Sequence, residues 1–331
     1  MPSNLKVILR AVRRWAFIPV SAVVLSVLLS HAHEIDWAGA WSALRHYSPL
    51  LLLGALGLAI VSHMLYGCFD LLGRRHTGHG LPRPQTFCIG MATYAFTLNL
   101  GTLLGGVATR VRLYARAGLD EVTIAQIIAM SATTNWMGYG VIAGWLFAAR
   151  AITPPARSQL TAEALQALGF AMIALACAYV AVCAMAHGRT WQVRQRKIRL
   201  PAPGLALLQL VVSAGHWFTM GGVMYLLLDQ QVSYPITLAV LMTAAIAGVV
   251  TPVPAGLGVL EAVYLMLLSG AVPQGRLMGA VLAYRALYYL VPLAGAMGIY
   301  FGLERYMSRR RNATNPLVQA HTPQPLGRHV P

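Results

Sequence analysis

The sequence is 331 residues long, 57% hydrophobic and only 10% charged, with a formal net charge of +16. Average soluble domains carry about 25% charged residues, so a soluble globular fold is excluded and an all-α polytopic membrane protein is expected. The positive charge sits in short polar breaks beside apolar runs, as expected for cytoplasmic loops facing anionic lipid headgroups, and no recognition module accompanies it that would make nucleic acid a partner.

In chain order, a basic head with Lys6, Arg10, Arg13 and Arg14 precedes helix 1 at about 15–31. The charge rule puts that head inside. Small residues at Ser30 and Ala32 also give the segment the look of a secretory signal, but a retained helix fits the topology better. Helix 2, at about 48–72, returns to the basic loop "GRRHTGHGLPRP". The next apolar piece, 86–118, poses a parity problem. If it crossed, the most basic loop of the chain, "GRTWQVRQRKIRLPAP", would lie outside, against the charge rule at its strongest point. The conflict disappears if 86–118 enters and returns without crossing. Its polar speckling (Thr93, Thr97, Asn99, Thr102) and its breaks at Gly101, Gly105 and Gly106 suit such a hairpin.

Helix 3 (about 121–149), helix 4 (about 164–187) and helix 5 (about 204–228) follow. The last helix, about 277–302, must end inside before "ERYMSRRRN". Between them, 235–272 must cross an even number of times, yet it is too short for two spans. A second re-entrant hairpin is expected there, with its tip at "TPVPAGLGV", where Pro252, Pro254, Gly256 and Gly258 unwind the chain.

The expected fold is therefore six transmembrane helices plus two re-entrant hairpins in an inverted-topology repeat, the alternative being eight full transmembrane helices. The first repeat covers 1–150, the second 151–305, and 306–331 is expected to be a disordered cytoplasmic tail. Both termini are expected in the cytoplasm, and the protein in the inner (plasma) membrane as a multi-pass protein. Arg110 and Glu261, and likewise Gly105 and Gly256, occupy corresponding places in the two halves.

The tips carry the candidate site. Helix starts after Gly105 and Gly106, and after Gly256 and Gly258, would present free N–H groups to an anion. Arg110 is the first candidate for gripping phosphate and Arg112 a weaker one. Glu261 would pair with Arg110 or Arg285, or exchange a proton. Arg285 is too far from either helix end to reach the interface, and Tyr288 beside it offers a hydroxyl. Asn99, Asn135 and His216 read as interhelical hydrogen bonds, and Asp70 as a partner for Arg74. The four cysteines show no paired spacing. No metal site, cofactor motif or enzyme signature is present.

The runs "PVPAGLGVLEA" (252–262), "GTLLGGVATRVRLYARAG" (101–118) and "AYRALYYLVPLAG" (283–295) resemble the membrane region of lysylphosphatidylglycerol synthases and the stand-alone inner-membrane proteins of that family. Ala255 replaces the first glycine of the family's pair, and Leu260 stands where an arginine often precedes the glutamate. The resemblance implies a flippase-like domain that moves a phospholipid or other lipid-phosphate between leaflets, with an anionic headgroup as ligand. The chain lacks the synthases' soluble transferase domain, so lysyl-lipid synthesis is not expected. A secondary transporter of a small organic anion and a non-transporting partner of envelope-lipid synthesis are the alternatives. A second copy and a lipid-synthesis enzyme both stay open as protein partners.

Overall fold

A computed structural model describes residues 42, 45, 47–151, 161–186, 190–193, 196–250 and 256–313. The expected first helix and the prolines Pro252 and Pro254 lie outside the described residues, as does 314–331.

Helix α1 spans Pro49–Thr77. Ser48 starts it by accepting the Leu51 N–H, Pro49 sits in the first turn, and Gly78 ends it in the left-handed conformation (φ 71°). That order of cap, proline and glycine is the usual punctuation of a helix.

Helix α2 covers Arg83–Gly101, a π-helical segment Thr102–Ala108, and α3 Thr109–Arg116. These do not form one straight rod. Gly101 has φ 78° and ψ 169°, backbone that other residues avoid, and there the chain doubles back. A Cβ on Gly105 would land on the Phe96 carbonyl, and one on Gly106 would press on the Thr97 hydroxyl. Ile89 of α2 shares a buried cluster with Leu113 and Tyr114 of α3. In a continuous helix those residues would be about 36 Å apart.

Helix α4 (Glu121–Ala148) is capped by Asp120, which accepts the N–H groups of Val122 and Thr123. Thr161 caps α5 (Ala162–Met185) in the same way. The basic segment expected as a plain loop contains a two-stranded antiparallel ribbon, β1 (Thr190–Val193) with β2 (Arg196–Arg199). Helix α6 is Pro203–Leu227.

A second reversal follows. Helix α7 (Tyr234–Val250) and α8 (Val259–Leu268) pack antiparallel. The Tyr264 hydroxyl donates to the Thr237 carbonyl at 3.4 Å, and Gly256 lies back against Gly248. Gly256 and Gly258 both have positive φ, so the glycines of the quoted run make the turn. With 10 residues, α8 rises about 15 Å, half a hydrocarbon core.

Helix α9 (Gln274–Tyr284), a π segment Arg285–Leu290 and α10 (Val291–Ala313) then run on as one long element. It continues past the expected end at 302 and takes in the first residues of the expected disordered tail. Glu304 holds it there by pairing with Arg112 and Arg116 of α3.

Among the described residues five helical runs are long and apolar enough to cross a membrane by length and composition, counting Arg83–Arg116, which folds back on itself. Large apolar side chains such as Leu53, Phe170, Leu175 and Val211 point outward from them. Outward apolar faces, with backbone polar groups satisfied inside the helices, are what a bilayer solvent requires. The protein is an all-helical polytopic membrane protein in its spanning part. Helix α1 lies centrally, against α2, α4 and α6. Glycines let the helices approach closely, Gly138 meeting Ser213 and Gly144 meeting Gly169. Leu72, Met130 and Leu205 cluster at one end, the end that also holds Arg74, Arg83, Arg116 and the basic ribbon.

Candidate functional site

Both chain reversals point at one place, the π segment 285–290. A π-helical segment shifts the backbone register by one bond, and such segments recur at functional sites. From the first reversal, Asn99 donates to the Tyr289 carbonyl at 3.2 Å while also reaching Ala95 at 2.8 Å. From the second, Glu261 binds Arg285 through both oxygens, at 2.5 Å to Nε and 2.9 Å to Nη2. Arg285 Nη2 also donates to the Gly256 carbonyl at 2.8 Å. The Arg285 guanidinium lies 5.6 Å from the ring centre of Tyr289. One arginine thus ties the last long helix to the tip and to the first turn of α8. Gly258, the residue before α8, offers no side chain to cap that turn.

The second ion pair is closer to the basic end. Arg110 of α3 binds Asp70 of α1 at 2.9 and 3.2 Å and donates to Ser131 of α4 at 3.0 Å. The Tyr114 hydroxyl gives Asp70 a further bond at 2.8 Å. Both charges are almost wholly buried. Breaking such a pair from one side costs about 3–5 kcal/mol, because a bare charge is left behind.

Aromatic rings connect the two pairs. Arg110 lies over Tyr66 at 5.6 Å, and Tyr66 stacks on Tyr94 at 3.9 Å. The Tyr94 and Tyr288 hydroxyls meet at 2.9 Å, and Ser62 reaches Tyr288 at 2.6 Å and the His216 Nδ1 at 3.0 Å. The His63 ring packs against both Tyr94 and Tyr288, with 4.8 and 5.0 Å between ring centres.

The expected site residues therefore separate. Glu261, Arg285, Gly256 and Tyr288 meet at the π segment, with Gly258 at the start of α8. Arg110 does not join them. Asp70, expected to pair with Arg74, pairs with Arg110 instead, while Arg74 donates to the Leu81 carbonyl. Arg112 bonds Glu304 at 3.0 Å near the surface. Gly105 and Gly106 are taken up by the close packing of the first reversal, against Phe96 and Thr97. Asn99 and His216 make the interhelical hydrogen bonds expected of them. Ser62, His63, Tyr66, Tyr94 and Glu304 were not singled out from the sequence. A signal existed for some of them: Ser62, Tyr66 and Asp70 recur four apart, a polar stripe on an otherwise apolar helix. Among the described residues no group of acidic, histidine and cysteine side chains could hold a metal ion.

Residues 9–296 match the sequence family described as the lysylphosphatidylglycerol synthase TM region. The chain is similar to the inner membrane protein YbhN of Escherichia coli strain K12, 40% identical over 90% of this chain and 93% of the relative. An uncharacterized protein of Synechocystis is 28% identical over 88% of this chain and 92% of its own length. A phosphatidylglycerol lysyltransferase of Staphylococcus haemolyticus is 32% identical over 26% of this chain and 11% of its own.

Proposed function

Since the chain belongs to the lysylphosphatidylglycerol synthase TM-region family, we propose that it is a membrane lipid translocase that carries a phospholipid or other lipid-phosphate between leaflets. The observation that carries this reading is the convergence of both chain reversals on the 285–290 segment, through Asn99 on one side and Glu261 with Gly256 on the other. In this reading the reversals are re-entrant hairpins entering from opposite faces, and their tips meet at membrane depth. The name of the staphylococcal relative, a phosphatidylglycerol lysyltransferase, supports a phospholipid as cargo.

The chemistry is an exchange of partners. Arg285 already holds a bidentate anion, the Glu261 carboxylate, and a phosphate diester presents a comparable pair of oxygens to a guanidinium. A headgroup phosphate entering between them would take Arg285 and gain the uncapped first turn of α8. Glu261 would then be free to move with the second hairpin. Closing the ion pair again would expel the phosphate to the other side. Glu261 thus acts as a resident stand-in for the substrate, and the acyl tails stay in the surrounding lipid.

The test uses purified protein in vesicles containing fluorescent phosphatidylglycerol, with chemical quenching of the outer leaflet. Wild type should move lipid faster than protein-free vesicles. Arg285→Gln should slow it by about 30-fold or more, the lower end for losing a buried hydrogen-bonded charge. Wild type no faster than protein-free vesicles sinks the translocase reading, and uptake of a soluble organic phosphate instead would move the assignment to a small-anion transporter.

A further inference from the structure

His63 of α1 is 3% exposed, where α2, α6 and the 285–290 segment meet α1. Its Nδ1 lies 2.8 Å from the Ala59 carbonyl oxygen. A carbonyl can only accept, so Nδ1 carries the hydrogen, and in the neutral ring Nε2 is a bare acceptor. That Nε2 is buried and has no hydrogen-bonding partner among the described residues. The imidazole ring packs against those of Tyr94 and Tyr288, tilted, with 4.8 and 5.0 Å between ring centres. The hydroxyl of Tyr284, the next tyrosine in the stack, is likewise buried with no partner among the described residues.

Tyr94 on α2 and Tyr288 on the π segment touch the His63 ring directly, and Tyr66 on its own helix and His216 on α6 pack on the other side of Tyr94. No carboxylate among them is available to it. Asp70 is bound by Arg110, and Glu261 has both oxygens on Arg285. Among the described residues the imidazole thus offers a basic nitrogen without a partner, at the seam that α1 and α2 share with the segment both reversals touch.

We propose that His63 is the proton-binding group of this protein, and that a proton on Nε2 loosens the seam between α1, α2 and the 285–290 segment. The proton adds a second N–H to the ring, and the closed packing offers it no acceptor. A full partner for that N–H comes only with rearranged hydroxyls or entering water. The neutral ring favours the closed seam and the protonated ring the open one. Linkage then makes the relation mutual: a headgroup that opens the seam must also raise proton uptake at His63. The inference rests on the carrier reading for what the opening accomplishes, and it gives the proton role to His63 while leaving Glu261 as the displaceable anion.

The test has two arms. The full chain, labelled with 15N-histidine in lipid nanodiscs, is followed by long-range 1H–15N NMR from about pH 8 to about pH 3, a range that reaches well below the window in which free imidazoles switch. The His63 signals are identified by their loss in His63→Gln, or in His63→Asn should the first variant not fold. The neutral ring should show its hydrogen on Nδ1 at high pH, and Nε2 should gain a proton on acidification. In vesicles, an imposed proton gradient should change the wild-type transfer rate by roughly fivefold or more, the low end of coupling between linked sites, and His63→Gln should lose that response. A His63 that stays neutral throughout overturns the inference, as does a His63→Gln protein that keeps the full gradient response. Protonation of His63 in a protein that moves no lipid would uphold the proton site and remove the carrier reading.

Discussion

Asp70 and Arg110 set the terms at the scale of the residue. They hold each other through two bonds, with Ser131 accepting a further one from Arg110 and Tyr114 donating one to Asp70, so neither charge can be deleted cheaply. Asp70→Asn should destabilise the protein by about 3–5 kcal/mol, read as a large drop in melting temperature in detergent. Removing both charges should cost clearly less than the sum of the single changes; additive losses would mean that the two groups do not act as a pair. Glu304 differs in kind. It meets Arg112 and Arg116 where both arginines are partly exposed, so Glu304→Gln should cost only about 1 kcal/mol and should matter less as salt is raised. The contrast follows from solvent, since water and ions screen the outer cluster and cannot reach the inner one.

At the scale of the element, both reversals use glycine at positive φ but are held by different means. The first is made by close packing: Gly105 lies so near the Phe96 backbone that no side chain fits. Gly105→Val should cost about 3 kcal/mol or more, above the usual range for overpacking because the obstacle is backbone; a variant of wild-type stability would disprove the tight turn. The second is made by a glycine-bearing tip held down by Arg285. Helix α4 shows a different kind of control at its start. The Thr123 hydroxyl, helped by the amides of Thr123 and Val122, holds the exposed Asp120 below the usual carboxylate range. A depressed carboxylate stabilises above its unfolded value of about 3.9 and loses that contribution as pH falls through the lower folded value. Asp120→Asn should therefore flatten the acid limb of a melting-temperature profile and leave neutral pH nearly unchanged.

At the scale of the whole molecule, the reversals decide which end of each helix goes where. With the chain turning back at Gly101, the end of α1, both ends of the first hairpin, the basic ribbon and the end of α10 share one side. The end of α6 and both ends of the second hairpin share the other. Single cysteines at positions 83 and 116 should therefore label from the same face of the membrane, and cysteines at 233 and 269 from the opposite one. Labelling of 83 and 116 from different faces would mean that the first hairpin crosses. The two halves also mirror each other in charge: the first hairpin supplies the arginine and a long helix the acid, and in the second hairpin the roles are reversed.

Composition and punctuation by themselves determined the polytopic helical class, and offered the pairing of Glu261 with Arg285 as one of two options. These follow from local chemistry: apolar run length and the cost of a charge in hydrocarbon. Which buried charge meets which was decided only by tertiary structure. Asp70 and Arg110 are forty residues apart, and Arg74 is the nearer cation in sequence. A sequence-local reading favours i,i+4 neighbours, but helix packing turns Asp70 inward toward α3. The same holds for His63 and Tyr94, ordinary residues on apolar helices until the packed elements close around them and leave one imidazole nitrogen without a partner among the described residues.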